Sequence, residues 1–118
     1  MKLEVGMYIR TKDGKIAKFI KYDEEDKEEL ITDYYEYSTI WIKDVIEASH
    51  NIIDLIEVGD YANGVQVIDK EIDNLNEKYL QCGVGDYVIC TYNSNEIEDV
   101  VTKEQFEAME YKVESEVK

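Results

Sequence analysis

A four-residue phrase occurs three times in this chain and constrains its fold more than any other feature. Val5-Gly6-Met7-Tyr8, Val58-Gly59-Asp60-Tyr61 and Val84-Gly85-Asp86-Tyr87 each place a glycine between a valine and a tyrosine two positions on. Glycine permits a sharp bend that a β-carbon disfavours, and the residues after it have strand character. Each phrase therefore predicts the start of a strand, and the residues beyond it predict a return. Met7 to Lys12 runs into Asp13-Gly14, a hairpin signal, and Lys15 to Tyr22 comes back. Asn63-Gly64 turns the second copy into Val65 to Asp73. The third copy, Asp86 to Tyr92, reaches a polar turn at Asn93-Ser94-Asn95, and Glu96 to Val101 is expected to return beside it.

Between the first two units, Asp23 to Glu29 is an acidic loop without an apolar residue, and Leu30 to Tyr37 and Thr39 to Ile42 supply two more strands. Lys43-Asp44-Val45 reads as the single helical turn that often precedes the last strand of an SH3-like barrel. Residues 49–56 lack Gly and Pro and are apolar, which predicts a packed connector rather than a free linker. One helix is expected, over about residues 102–110. Thr102 with Gln105 forms a capping box, Glu104 suits the helix dipole, and Phe106 and Met109 give an i, i+3 apolar pair. Tyr111 to Val113 is expected to return as an edge strand. The fold class is mainly β (a β-rich α+β protein): two small SH3-like antiparallel barrels or half-barrels, residues 1–48 and 51–118, with one short C-terminal helix.

Hydrophobic residues make up 44% of the 118, enough for a core despite 35% charge. The most apolar stretch, Ile52-Ile53-Asp54-Leu55-Ile56, is far short of a membrane span and carries a carboxylate. The first residues are charged at Lys2, Glu4, Arg10 and Lys12, unlike a signal peptide, so a cytoplasmic location is expected. Cys82 and Cys90 are then expected as reduced thiols. The formal net charge is −15. It is unevenly placed, because residues 1–22 carry six basic side chains against two acidic ones, leaving −19 for the remainder. Such a body repels nucleic acid and anionic membranes and is drawn to basic surfaces.

Three phrases carry a resemblance to a known group: Glu4-Val5-Gly6-Met7-Tyr8-Ile9-Arg10-Thr11-Lys12-Asp13-Gly14, Asn51-Ile52-Ile53-Asp54-Leu55-Ile56-Glu57-Val58-Gly59-Asp60-Tyr61 and Val101-Thr102-Lys103-Glu104-Gln105-Phe106-Glu107. The chain resembles small acidic proteins of phages and prophages of Clostridium-like Firmicutes. The resemblance speaks to origin and implies no catalytic residues, because that group has none agreed that could be carried over.

Catalysis has little to stand on. His50 is the only histidine, and a lone histidine in a connector makes neither a triad nor a metal site. Neither cysteine has a histidine nearby in sequence, and the glycines are accounted for by turns rather than a phosphate-binding loop. No enzyme activity, cofactor or metal is expected. The loop Asp23-Glu24-Glu25-Asp26 lacks the spacing of an EF-hand and reads as a solvated acidic surface. Strand periodicity puts Asp69, Glu71 and Asp73 on one face, about 6.6 Å apart, comparable to neighbouring phosphates along a nucleic-acid strand. Tyr34, Tyr35 and Tyr37 beside Trp41 cannot all point inward, and exposed Tyr and Trp with an acidic rim suit a protein interface. Arg10, Lys12, Lys15, Lys18 and Lys21 form an alternative, basic surface that the acidic loop is expected to neutralise within the molecule.

The expected function is a phage-borne, non-enzymatic inhibitor of a host defence effector, anti-CRISPR-like, that mimics nucleic acid to block a basic groove. Its partner would be a protein with a basic surface, with no membrane and no direct nucleic-acid binding. The alternatives are an assembly module that self-associates and a small-barrel nucleic-acid binder using the basic first hairpin.

Overall fold

A computed structural model of the chain describes residues 2–34 and 38–109. The protein is mainly β, built as two five-stranded antiparallel sheets, one of them a half-barrel, with a single short helix. The first sheet contains β1 (Tyr8–Thr11), β2 (Ile16–Tyr22), β3 (Glu29–Thr32), β4 (Thr39–Trp41) and β5 (Val45–Ser49), in the order β4-β3-β2-β1-β5. The second contains β6 (Tyr61–Ala62), β7 (Val65–Ile72), β8 (Lys78–Val84), β9 (Tyr87–Asn93) and β10 (Val100–Val101), in the order β10-β6-β7-β8-β9. Each sheet thus places its own last strand beside its first and continues through the second, third and fourth. Each also inserts a 3-10 turn between its fourth and fifth strands, at Ile42–Asp44 and at Ser94–Glu96. The chain repeats one topology twice.

The first two Val-Gly-x-Tyr phrases build this repeat bond for bond. Gly6 and Gly59 have φ of 94° and 102°, the left-handed region that glycine enters without strain. Gly6 N–H donates to Phe19 O at 2.8 Å, and Gly59 N–H donates to Val67 O at 2.9 Å. Phe19 and Val67 return the bond, donating to Met7 O at 2.8 Å and Asp60 O at 2.7 Å. Both units then turn as the sequence predicts, at Asp13-Gly14 and at Asn63-Gly64. Asn63 and Gly64 both have positive φ, 50° and 81°, as a type I′ hairpin requires.

The third copy does something else. Val84-Gly85-Asp86-Tyr87 is itself a two-residue hairpin turn, with Val84 opposite Tyr87 and Gly85 at φ 59°. It joins β9 to β8, a strand the sequence reading does not contain. The expected pairing of 86–92 with 96–101 is therefore wrong. The chain leaves β9 through Ser94–Glu96, and β10 pairs with β6 instead. The turn before β8 is shaped by Asp73, whose carboxylate accepts Leu75 N–H at 2.8 Å and Glu77 N–H at 2.9 Å.

Each sheet covers its own core. Ile9, Ala17, Phe19, Leu30, Ile40 and Val45 are buried in the first, and Ile53, Ile56, Ala62, Val67, Leu80 and Cys82 in the second. The connector is packed, as its composition predicts. Asn51 caps a 3-10 turn at Ile52–Leu55 by accepting Ile53 N–H at 3.0 Å, and Ile53, Leu55 and Ile56 are fully buried.

The helix, α1 (Lys103–Met109), begins at the predicted capping box. Gln105 N–H donates to Thr102 Oγ1 at 3.3 Å, and Thr102 N–H donates back to Gln105 Oε1 at 3.0 Å. Its apolar pair stays outside the core: Phe106 stacks on Tyr61 at 4.6 Å while partly exposed, and Met109 is exposed. Residue 110 and the strand expected at Tyr111 to Val113 lie outside the described residues.

Candidate functional site

The largest departure from the sequence reading concerns Arg10. The sequence reading puts it in an alternative basic surface with Lys12, Lys15, Lys18 and Lys21, yet it is fully buried. Strand alternation puts Arg10 on the face of β1 opposite the core residue Ile9, and that face is covered by Leu55, Asp60 and Glu104. Arg10 Nη1 donates to Asp60 Oδ2 at 2.5 Å and to Leu55 O at 2.8 Å, while Nη2 donates to Asp60 Oδ1 at 3.2 Å and Glu104 Oε2 at 2.9 Å. Nε lies 3.7 Å from Glu57 Oε2. Burial pulls the Arg10 pKa down, but the hydrogen bond and charge of Asp60, with Glu57 and Glu104, outweigh it and hold it above its ordinary value.

Asp60, also fully buried, accepts Glu57 N–H at 2.7 Å and Lys103 N–H at 2.9 Å as well. Lys103 Nζ closes the circuit on Glu57 Oε1 at 2.6 Å, which raises the lysine's pKa. Beside it, Thr102 Oγ1 donates to Gly14 O at 2.6 Å. One network therefore ties β1 and the first hairpin to the connector, the second repeat and the start of α1. Sequence reasoning missed these partners. The signal was present: where the first repeat has Met7, the second has Asp60.

The four lysines do not replace the lost arginine. Lys12, Lys18 and Lys21 are exposed and Lys15 is half-buried. Lys15 and Lys18 sit 5.7 Å from the ring centres of Tyr34 and Tyr8, a cation–π arrangement. Lys15 pairs with Asp13 at 3.5 Å, and among the described residues no ion pair joins these lysines to the acidic loop. The expected neutralisation by that loop is wrong. Its acids are committed locally: Asp23 Oδ1 accepts Glu25 N–H at 2.8 Å and Asp26 N–H at 3.3 Å, and Asp26 Oδ1 accepts Glu28 N–H at 2.9 Å. Glu24 and Glu25 point into solvent. Among the described residues, no group of three or more His, Cys, Asp or Glu is placed to hold a metal ion.

The acidic row is formed in part. Asp69 and Glu71 are exposed on β7, opposite Gln81 and Tyr79 of β8. Thr91 and Asn93 of β9 continue the same rows. A register shift between Val67 and Asp69 sets this phase, turning Val67 into the core and both carboxylates outward. Asp73 is exposed but lies past the end of β7, where it shapes the turn rather than extending the row.

The aromatic cluster divides. Tyr34 is half-buried against the first core, and its hydroxyl accepts Gln105 Nε2–H at 3.2 Å. Trp41 is exposed on the edge strand β4, with Lys43 Nζ 5.5 Å from its ring. Tyr35 and Tyr37 lie outside the described residues. His50 is exposed, 3.7 Å from Glu4. Both cysteines are free, and burial pushes the Cys82 thiol up to about 11.

What these features define is a repeat-built β protein that buries its arginine and leaves carboxylates on an open sheet face. Comparison of the chain with protein-family models, curated proteins and solved structures returned no match. No helix among the described residues is long and apolar enough to cross a membrane.

Proposed function

We propose that this chain is a non-enzymatic binding protein that lays its acidic face into a basic groove of a partner protein. In the specific form, it is a phage-borne inhibitor that mimics nucleic acid against a host defence effector. The observation that carries the reading is the exposed pair Asp69 and Glu71 on the second sheet. They form a spaced carboxylate pair on β7, beside hydrogen-bonding side chains on the same face. Arg10 is buried against Asp60 and takes no part in the surface, whereas Lys12, Lys18 and Lys21 stay exposed, and the chain as a whole carries a net charge of −15.

Long-range attraction between such a face and a basic groove is screened by salt. Capture of a basic partner from host extract should therefore fall steeply between low and high salt, and a nucleic acid should compete for it. Reversing Asp69 and Glu71 to Lys should abolish capture with the fold intact, since exposed substitutions move stability by only about ±0.5 kcal/mol. Capture that is indifferent to salt, or that survives the double reversal, overturns the reading.

A further inference from the structure

We propose that β9 is a docking edge for a second copy of this chain, pairing antiparallel with its own counterpart to join two second sheets into one. β9 ends its sheet, and no described strand covers its outer side. It is seven residues long, whereas the other outer strands are β4 with three, β10 with two and β5 with five. Its sequence, Tyr87-Val88-Ile89-Cys90-Thr91-Tyr92-Asn93, contains none of the charged residues that make up 35% of the chain. Edge strands are ordinarily protected by such residues, because their free backbone groups are a template for another strand.

The apolar surface beside this edge points the same way. Val84 is 72% exposed, Tyr87 81% and Ile89 64%, all within six residues at the β8–β9 hairpin, with Val88 also exposed. Large exposed apolar side chains gathered at one place mark an interaction surface, whereas scattered ones need no explanation.

Charge selects the occupant. A basic strand finds no carboxylate along β9 to pair with, so the matching partner is an uncharged strand of similar length. A second β9 supplies one, and antiparallel pairing makes the contact self-complementary about a two-fold axis near Cys90. In that register Asp86 faces Ser94 of the other copy rather than its own like charge. The acidic rows also stay apart. Asp69 and Glu71 lie two strands inward from β9, so five strand spacings of about 4.8 Å, roughly 24 Å, separate the two rows. That is about three Debye lengths at physiological salt.

The inference is independent of the acidic-face reading, and salt distinguishes the two. Sedimentation velocity on the purified full chain should show a monomer–dimer equilibrium that shifts toward dimer as salt rises, because screening removes the repulsion between two acidic bodies. Docking of the acidic face on a basic partner moves the other way. Ile89→Lys and Tyr87→Lys should each weaken the dimer by about tenfold or more, since each brings charge into the joined edge. Both sites are exposed, so circular dichroism should show the folded monomer unchanged. A short bis-maleimide should link Cys90 of two wild-type copies and fail to link the Lys variants. A chain that stays monomeric at near-millimolar concentration in high salt overturns the proposal. So does a dimer that both Lys variants leave intact, or one that salt dissociates.

Discussion

Removing the Asp60 carboxylate should be among the most damaging single changes available to this protein. In Asp60→Ala, the fully buried Arg10 loses both arms of its bidentate contact and keeps Leu55 O, Glu104 and the more distant Glu57. The N–H groups of Glu57 and Lys103 lose their acceptor in the same step. Breaking a buried pair by deleting one partner typically costs about 3–5 kcal/mol. A domain of this size has only about 6–18 kcal/mol in total. At about 4 °C per kcal/mol, the melting temperature should fall by roughly 10–20 °C. Arg10→Met should also destabilise, since it leaves Asp60, Glu57 and Glu104 facing one another without their shared cation. The double variant buries no unpaired guanidinium, so its loss should be smaller than the sum of the singles by about 1–3 kcal/mol. The assay is denaturant unfolding of the four proteins of the cycle, repeated in high salt, where a solvent-excluded pair should be little screened. An Asp60→Ala cost below about 1 kcal/mol, or singles that add within about 0.5 kcal/mol, would refute the role given to this network.

Gly83→Ala should destabilise strongly, because a Cβ there would lie 1.8 Å from Tyr87 O at the irregularity between β8 and β9, and differential scanning calorimetry should show a clear drop. Gly59→Ala meets only Lys103 Cδ at 3.5 Å but forces φ 102°, so its cost should be the milder backbone strain of about 1–2 kcal/mol, as chemical denaturation will read. Burial pushes the Asp54 pKa up, but hydrogen bonds from Lys78 and Ser49 outweigh it and hold it below 3.8. Stability from this group is present above that value and lost as pH falls through the lower folded value, so Asp54→Asn should flatten the acid limb of a melting-temperature profile. Near pH 8, maleimide should label partly buried Cys90 faster than Cys82, which should react only on unfolding, because the Cys82 thiol is fully buried and pushed up to about 11; equal rates in the folded protein would contradict its placement.

Much of the β architecture was legible because its signals are local. Asp13-Gly14 and Asn63-Gly64 are turns whichever sheet they serve, and the Thr102–Gln105 capping box needs only one helical turn to act. The 3-10 turn before β5 and the packed connector followed from short stretches in the same way. The third Val-Gly-x-Tyr misled because a glycine at positive φ suits a bend into a strand and a two-residue hairpin equally, and only the partner strand decides. At Gly6 and Gly59 the preceding chain meets β2 and β7 from outside, whereas at Gly85 it is already β8.

The site divides along the same line. Composition alone determined that the protein is strongly acidic, and strand periodicity alone put Asp69 and Glu71 on one face. Whether a given charge belongs to the surface or the interior depends on contacts between distant segments. Arg10 meets Asp60 across 50 residues and Glu104 across 94. The acidic loop, expected to neutralise the lysines, satisfies its own backbone instead, because hydrogen bonds two or three residues away form without ordering a long side chain. Residue pattern settled the turns at Asp13-Gly14 and Asn63-Gly64 and how much charge the chain carries. Tertiary packing alone decided which cation is buried and which strand is left at the edge, because both depend on what the rest of the chain covers.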